Sequence, residues 1–554
     1  MADAIQYRGP AAEGKGAGCR QAFGVPDGII RRMDRLRGPL PLLLFLIVAA
    51  LLRFHDLSGL PAAHYRDVAT TANDALRSAA GHPRLHYTYD EGLYSNLMAV
   101  VFLLLGASDW TVRAQGALFG VLTCWGVYRL GRAFGRERAG LLGAGLLAVS
   151  FWHVLLSRSG FRAVLLPCLL VHAVALLAEG LRGRGSWRLL LGGALFGLGV
   201  HVYPAVRFAP FFLPAYMLAE VRQTGEGRRP ALGKLALFAA AAVVVAAPML
   251  LHYLNHPEHV NYPHRVLSVF SPSVKSEEVP SYLAHNLRAT LLMFHVAGDE
   301  NWRHNLGGAP MLDPLTGALF LLGLILVWRR PAPGREGGGD ARPAGGPGPM
   351  AALLAGWLAA MLFPNLLSVE GVPHGLRSCG ILPAVALLGG IGLEGALGFL
   401  APRLHLDDRG VRAATVAVVV LIGGWTAFRY FVVWGNDPRV APAHDGAFRA
   451  AARVLRDAPD PVDRLLVANG SGYPVYGHPA ETQAYLFEMR DRPPAVLGPK
   501  DASRLVLNGR PALVALIEKD DRVLDILRQL NPGAPIVEVQ AAGLSPGSPV
   551  YRIN

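Results

Sequence analysis

The stretch "GLYSNLMAVVFLLLG", residues 92–106, decides how the whole chain threads. It is apolar enough for a membrane, but at about 15 residues it falls short of the ~20 that cross a ~30 Å hydrocarbon core. Counted as a crossing, it sends the clusters "RLGRAFGRER" (129–138), "RGRGSWR" (182–188), "RQTGEGRR" (222–229) and "WRRPAPGR" (328–335) to the outer side. That contradicts the cytoplasmic bias of Lys and Arg in short loops. Laid in the outer interface, or re-entering from it, the same segment returns all four clusters to the cytoplasm. The interfacial reading is therefore preferred.

Outward from it lie longer apolar runs at 39–52, 112–130, 139–156, 163–181, 187–203, 208–221, 235–253, 315–328, 351–367, 381–400 and 413–434. They predict a polytopic α-helical membrane protein with about 11 transmembrane helices, N-terminus in and C-terminus out. Composition agrees, since the 554 residues are 52% hydrophobic and only 17% charged. The net charge of +13 comes from arginine clusters between apolar runs, which suits topology-setting loops and excludes a nucleic-acid-binding stripe. Of the four cysteines, Cys124 and Cys168 lie inside apolar runs, and with Cys19 and Cys379 they show no metal or redox spacing.

Residues 1–37 read as a disordered cytoplasmic tail, 38–434 as the transmembrane domain and 435–554 as a small α/β domain. The basic "RRMDRLR" (31–37) before the first run and "LPAAHY" (60–65) after it imitate a signal peptide. The many spans that follow favour an uncleaved first helix. The cytoplasmic "PAPGREGGGDARPAGGPGP" (331–349) has linker composition. Beyond residue 434, "DRLLVANG" (463–470), "ASRLVLNGRPALVALIEK" (502–519) and "APIVEVQ" (534–540) read as strands, with amphipathic helices at 444–458 and 520–530. "NGSGYPVYG" (469–477) is too weak to signify a nucleotide site.

This topology gathers the ionisable groups outside: "HYRDVATTANDALR" (64–77), Asp90, Glu91, Arg113, "SRSGFR" (157–162), "VYPAVR" (202–207), "ENWRHNLGGAPMLD" (300–313) and "VEGVPHGLRSCG" (369–380). A carboxylate there can deprotonate an acceptor hydroxyl, while arginines bind a lipid-borne phosphate and stabilise the charge that builds on it. A polyprenyl-phosphate sugar donor meets both needs, with its tail in the bilayer and its phosphate at headgroup depth.

These segments, with "SDWTVRAQGALFGVLTCWGVYRLGRAFG" (108–135) and "LLAVSFWHVLLSRSGFRAVLLP" (146–167), resemble the GT-C membrane glycosyltransferases. The family 39-like branch is nearest, with relatives among protein O-mannosyltransferases and aminoarabinose transferases. The resemblance implies Asp67 as catalytic base, Asp90 and Glu91 as a second polar motif that orients the acceptor, and inverting-type transfer. Here Val68 stands where relatives often carry a second acid. Substrate contacts are expected from Arg66, Asp90, Glu91, Arg113, Arg158, Arg162, Tyr203, Arg207, Arg303, His304, Glu370, His374 and Arg377.

Each has a structural competitor: Asp67 as a helix N-cap, Arg113 as a snorkelling side chain, Arg158 or Arg162 as a span end, Tyr203 as an aromatic belt residue, Arg303 and His304 as loop packing. Three ionisable groups at Glu370, His374 and Arg377 exceed what anchoring needs. Asp74, two turns beyond Asp67, is expected to be solvated. No cofactor is called for, and a divalent metal stays open because its use varies among such proteins. The expected partners are a lipid-linked sugar donor, membrane lipid and a protein, lipid or glycan acceptor, with no nucleic acid. The expected location is a bacterial plasma membrane, with the active site and C-terminal domain extracytoplasmic. The alternatives are a transporter or flippase of a lipid-linked substrate, which ought to show repeats or midplane charges, and a membrane scaffold.

Overall fold

The structure, a computed structural model, describes residues 39–554 except 89, 225–227, 261–266, 329–347, 499–500, 502–504 and 508–509. The tail expected at 1–37 lies outside the described residues, as does nearly all of the linker at 331–349.

Every apolar run named above is helical. With α2 and α11, which no named run covers, the helices in chain order are α1 (Pro39–Phe54), the amphipathic α2 (Arg66–Ala79), α3 (Leu93–Leu105), α4 (Asp109–Ala133), α5 (Glu137–Ala148), α6 (Phe151–Arg158), α7 (Leu165–Leu181), α8 (Trp187–Leu198), α9 (Leu213–Thr224), α10 (Arg228–Asn255), α11 (Val279–Leu292), α12 (Pro314–Leu326), α13 (Pro349–Leu366), α14 (Leu382–Arg403) and α15 (Asp408–Ala427). Among the described residues five helices are long and apolar enough to cross a membrane unaided, and the bent pair α5–α6 makes a sixth. The other runs are shorter or, in α4, more polar.

Helix α3 is the "GLYSNLMAVVFLLLG" segment. Its 13 residues extend only about 20 Å, short of a crossing. Tyr94, Met98 and Phe102 are buried on one face, while Leu103, Leu104 and Leu105 are at least 64% exposed. One packed face and one greasy face suit a helix lying along the protein surface in lipid.

Between α5 and α6 the chain bends by 60°. Ser150 caps α6 by accepting from the His153 amide. The carbonyls that end α5 lose their helical partners there, and Arg53 of α1 fills the gap: Nη1 donates to Ala148 O at 2.8 Å and Nη2 to Leu147 O at 3.2 Å. Small residues let other helices touch. A side chain at Gly392 of α14 would collide with the Leu319 carbonyl of α12, and one at Gly323 of α12 with the Leu388 carbonyl of α14.

After α15 a π-helical turn, Phe428–Trp434, leads into α16 (Gly446–Arg456). The C-terminal α/β domain has a five-stranded sheet of order β4-β1-β5-β7-β6, formed by β1 (Asp463–Val467), β4 (Ala495–Leu497), β5 (Ala512–Leu516), β6 (Ile536–Glu538) and β7 (Val550–Ile553). Strand β1 runs parallel to β4 and β5, and β7 runs antiparallel to β5 and β6. The central strand β5 is buried throughout, as a strand packed on both faces must be. Helices α17 (Thr482–Glu488) and α18 (Asp521–Leu530) and a separate hairpin of β2 (Pro474–Val475) with β3 (His478–Pro479) complete it. Helices α16 and α17 and the hairpin face α2, which brings the domain against the candidate site.

Candidate active site

Asp67 is the second residue of α2, after the cap position Tyr65. It therefore lies inside the first turn, where the helix dipole favours an anion, and it is not the N-cap. Its carboxylate is half-buried, and Oδ1 accepts a 2.7 Å hydrogen bond from the Tyr473 hydroxyl. Burial pushes its pKa above the usual carboxylate value; Tyr473 opposes this, Asp90 reinforces it, and Arg303 and Arg162 oppose it. A carboxyl tuned upward within reach of two guanidinium groups has the properties of a general base beside an anion site.

Asp90 and Glu91 lie on the loop before α3, in a turn closed by Tyr87 N–H donating to Asp90 O at 2.8 Å. Arg162 is paired with Asp90, and its Nη2 lies 3.4 Å from Glu91 Oε2. Burial raises the Asp90 pKa against the pull of Arg162. Arg162 also donates to Val202 O at 3.1 Å and lies 5.6 Å from the Tyr203 ring centre. Tyr253 joins the group by donating to Glu91 Oε1 at 2.9 Å, with Arg207 over its ring at 5.5 Å.

Arg303 lies 3.7 Å above the Tyr65 ring and donates to Asn301 Oδ1 at 3.1 Å. His304 and His374 pack ring to ring at 4.6 Å. Asp299, a residue the sequence reading passed over, ties their two loops together: its Oδ2 meets His304 Nδ1 at 3.1 Å and accepts from the Gly375 amide at 2.7 Å. Burial keeps both imidazoles below their ordinary pKa and neutral. Arg377 donates to Glu370 O at 2.8 Å. Glu370 itself is exposed at the rim.

Asp67, Asp90, Glu91, Arg162, Tyr203, Arg207, Arg303, His304, His374 and Arg377 thus share one region between α2, the loop before α3, and the loops that follow α11 and α13. Three expected contacts belong elsewhere, and a fourth, Glu370, stays at the rim. Arg113 is fully buried and donates to Leu57 O at 2.9 Å and Ala63 O at 3.0 Å. Arg158, also fully buried, donates to Arg53 O at 3.0 Å, His55 O at 2.6 Å and Asp56 O at 3.0 Å. Arg158 caps the end of α1 and both arginines shape the loop before Asp67, so their terminal nitrogens serve carbonyls rather than phosphate. Arg66 turns away into the C-terminal domain, where it pairs with Asp445 at 2.9 Å and with Glu481. Glu370 is exposed at the rim, and its backbone carbonyl accepts from Arg377. Asp74, expected in solvent, has a side chain only 1% exposed.

Among the described residues two groups could hold a metal ion. His86, His252 and His259 bring ring nitrogens within 4.8 Å of one another, and burial with the neighbouring imidazoles pushes His86 down to about 3, so it is neutral. Such nitrogen donors suit zinc. Asp299, His304 and His374 form the second group, although Asp299 already serves as a loop tie. Neither set has sequence spacing that would have revealed it. Tyr473 and Tyr476 were missed too: "NGSGYPVYG" reads only as a glycine-containing stretch too weak for a nucleotide site, and nothing in it points to residue 67.

The family model described as dolichyl-phosphate-mannose-protein mannosyltransferase matches residues 93–252, less than a third of the chain, from α3 to α10. No curated protein matches. Among solved structures, ArnT from Cupriavidus metallidurans bound to undecaprenyl phosphate is similar over 92% of this chain and 97% of that one, at 16% identity and TM-score 0.60. Arabinofuranosyltransferase AftD from Mycobacteria is similar over 93% of this chain and 40% of that one, at 16% identity and TM-score 0.51. The Archaeoglobus fulgidus oligosaccharyltransferase is similar over 92% and 70%, at 13% identity and TM-score 0.50. The chain is an integral membrane protein that shares its fold with these solved structures.

Proposed function

We propose that the protein transfers a sugar from a polyprenyl-phosphate donor to an acceptor hydroxyl at the outer face of a bacterial plasma membrane. One observation carries this reading: Asp67 sits in the field of Arg162 and Arg303, in a fold shared with ArnT, which was solved bound to undecaprenyl phosphate. The acceptor gives its proton to Asp67 as its oxygen attacks the anomeric carbon. The bond from that carbon to the phosphate oxygen breaks, and its electron pair leaves on polyprenyl phosphate. Arg303 and Arg377 are held on an aromatic ring, an amide and a carbonyl, which leaves their charge available to the leaving phosphate. Arg162, matched by two acids, holds Asp90 and Glu91 where the acceptor is oriented. By span parity the C-terminal domain, residues 435–554, shares the outer side.

The test incubates the protein in nanodiscs with a panel of polyprenyl-phosphate sugars and follows release of polyprenyl phosphate. Wild type should turn over at least one donor, and Asp67→Asn should slow it by roughly 10²–10⁴-fold. Turnover unchanged in Asp67→Asn removes Asp67 from the chemistry.

A further inference from the structure

We propose that the C-terminal domain completes the active site, with Tyr473 as a positioning residue that fixes the Asp67 carboxylate in the orientation its role as base requires. The proposal rests on the reading of Asp67 given above.

Tyr473 precedes β2, and its hydroxyl spans 406 residues of sequence to donate to Asp67 Oδ1 at 2.7 Å, a length typical of a bond to a charged acceptor. A carboxylate held through Oδ1 is restricted in its rotation and leaves Oδ2 to take the acceptor's proton. The phenol keeps its proton, because burial and the adjacent Asp67 charge raise its pKa. It is therefore a donor and not a rival base. The other charged or titratable groups around Asp67 are Tyr65 and Arg66 on its own segment, Asp90 before α3, Arg162 before α7, and Arg303 on the loop before α12.

The hairpin is built to hold this contact. Tyr476 and Gly477 form its two-residue turn with φ of +52° and +84°, the left-handed pair that suits a tight hairpin. Tyr476 donates to Asp74 Oδ1 at 2.7 Å, and the Arg77 guanidinium lies 3.6 Å over its ring. Asp67 and Asp74 are seven residues apart and so lie on one face of α2, about 10 Å from each other along the axis. Two phenols, three residues apart on the hairpin, therefore grip α2 at two successive points. At the base of the hairpin the Glu481 carboxylate, which pairs with Arg66, packs so close to Gly472 that a side chain there would displace it. Tyr473 is thereby fixed from both ends.

The experiment uses the full chain in nanodiscs as wild type, Tyr473→Phe, Tyr476→Phe and Asp67→Asn. Infrared spectra recorded against pH, with the Asp67→Asn spectrum subtracted, report the pH at which Asp67 protonates. Loss of the Tyr473 hydroxyl removes a bond to the charged form, so Tyr473→Phe should protonate at a pH higher by about one unit or more. Tyr476→Phe should leave that pH where it is in wild type. With the polyprenyl-phosphate sugar that wild type turns over fastest in the panel, Tyr473→Phe should lower kcat about tenfold or more and leave the donor KM little changed. An unmoved Asp67 titration in Tyr473→Phe, or an equal movement in Tyr476→Phe, overturns the proposal while Asp67→Asn remains inactive. Full turnover by Asp67→Asn overturns the underlying reading of Asp67 as base, and the proposal with it.

Discussion

Asp74 shows what burial does to a single carboxyl beside the site. Its side chain is 1% exposed and its Oδ2 is buried with no partner. Burial pushes its pKa up to about 7 from 3.8, against the pull of Tyr476 and Arg77 and with help from Asp90. The folded state therefore binds a proton that the unfolded chain has released across that interval. The stabilisation is complete below the unfolded value and is lost as pH rises through about 7. Asp74→Asn keeps an acceptor for Tyr476 without the charge, so the contact between α2 and the hairpin should hold equally at pH 5 and pH 8. Wild type should loosen across the same range. Amide exchange of residues 472–479 measures this, and parallel pH dependence in both proteins would dismiss Asp74 as its source. A residue two turns beyond Asp67 on an amphipathic helix reads as solvated, because its cover comes from a hairpin about 400 residues away. Asp67 was legible as a candidate because its type, its place after the first span and the family resemblance agreed. Tyr473 was not, since a lone tyrosine in a turn-rich stretch carries no sign of its partner.

At the scale of elements, apolar runs translated directly into helices because lipid requires each spanning backbone to satisfy itself. The short length of residues 92–106 likewise announced a helix unlike its neighbours. The break between α5 and α6 was illegible, since the run 139–156 is interrupted only by Ser150 and His153 and the bend is sustained by a residue from another helix. Arg53 is fully buried and donates to Ala49 O at 3.0 Å as well as to the carbonyls ending α5, with Nη2 2.8 Å from His153 Nδ1. Replacing it with Met retains volume and removes the cap, which leaves buried carbonyls unmatched at about 1–3 kcal/mol each. Arg53→Met should lower the thermal midpoint in nanodiscs by several degrees and weaken the support that α6 gives, through Arg158, to the loop before Asp67. A midpoint equal to wild type would mean that the bend needs no external cap. Close helix contacts give a companion test. Gly392→Val drives a branched side chain into α12, and it should destabilise more than Val at Gly398, where a side chain meets open space.

For the whole molecule the question is what holds the α/β domain over the membrane part. The α/β character of the C-terminal part was legible, because strand-like runs replace long apolar ones there. Docking was hidden, because it rests on charges that look like ordinary solvated residues until they meet. Arg66 meets Asp445 and Glu481, both acid side chains being 6% exposed. Arg449 meets Asp109 at the start of α4 and lies 3.2 Å from Glu488, while Arg490 donates to Ala107 O at 2.9 Å. Asn73 adds bonds of 3.0 Å to both the backbone and side-chain oxygens of Gln483. Pairs this buried repay little net stability when intact, but removing one partner strands the other, at about 3–5 kcal/mol. Arg66→Met should therefore free the domain far more than removal of an exposed pair such as Arg528 with Asp525, each 62% exposed. Neutralising the stranded acids in the same chain, with Asp445→Asn and Glu481→Gln, should recover much of the loss. Amide exchange across residues 446–488 reads this directly: fast in Arg66→Met, slower in the triple variant, slowest in wild type. If Arg66→Met exchanges like wild type, the apolar contacts of α17 with α2 carry the docking and the ion pairs only set its register.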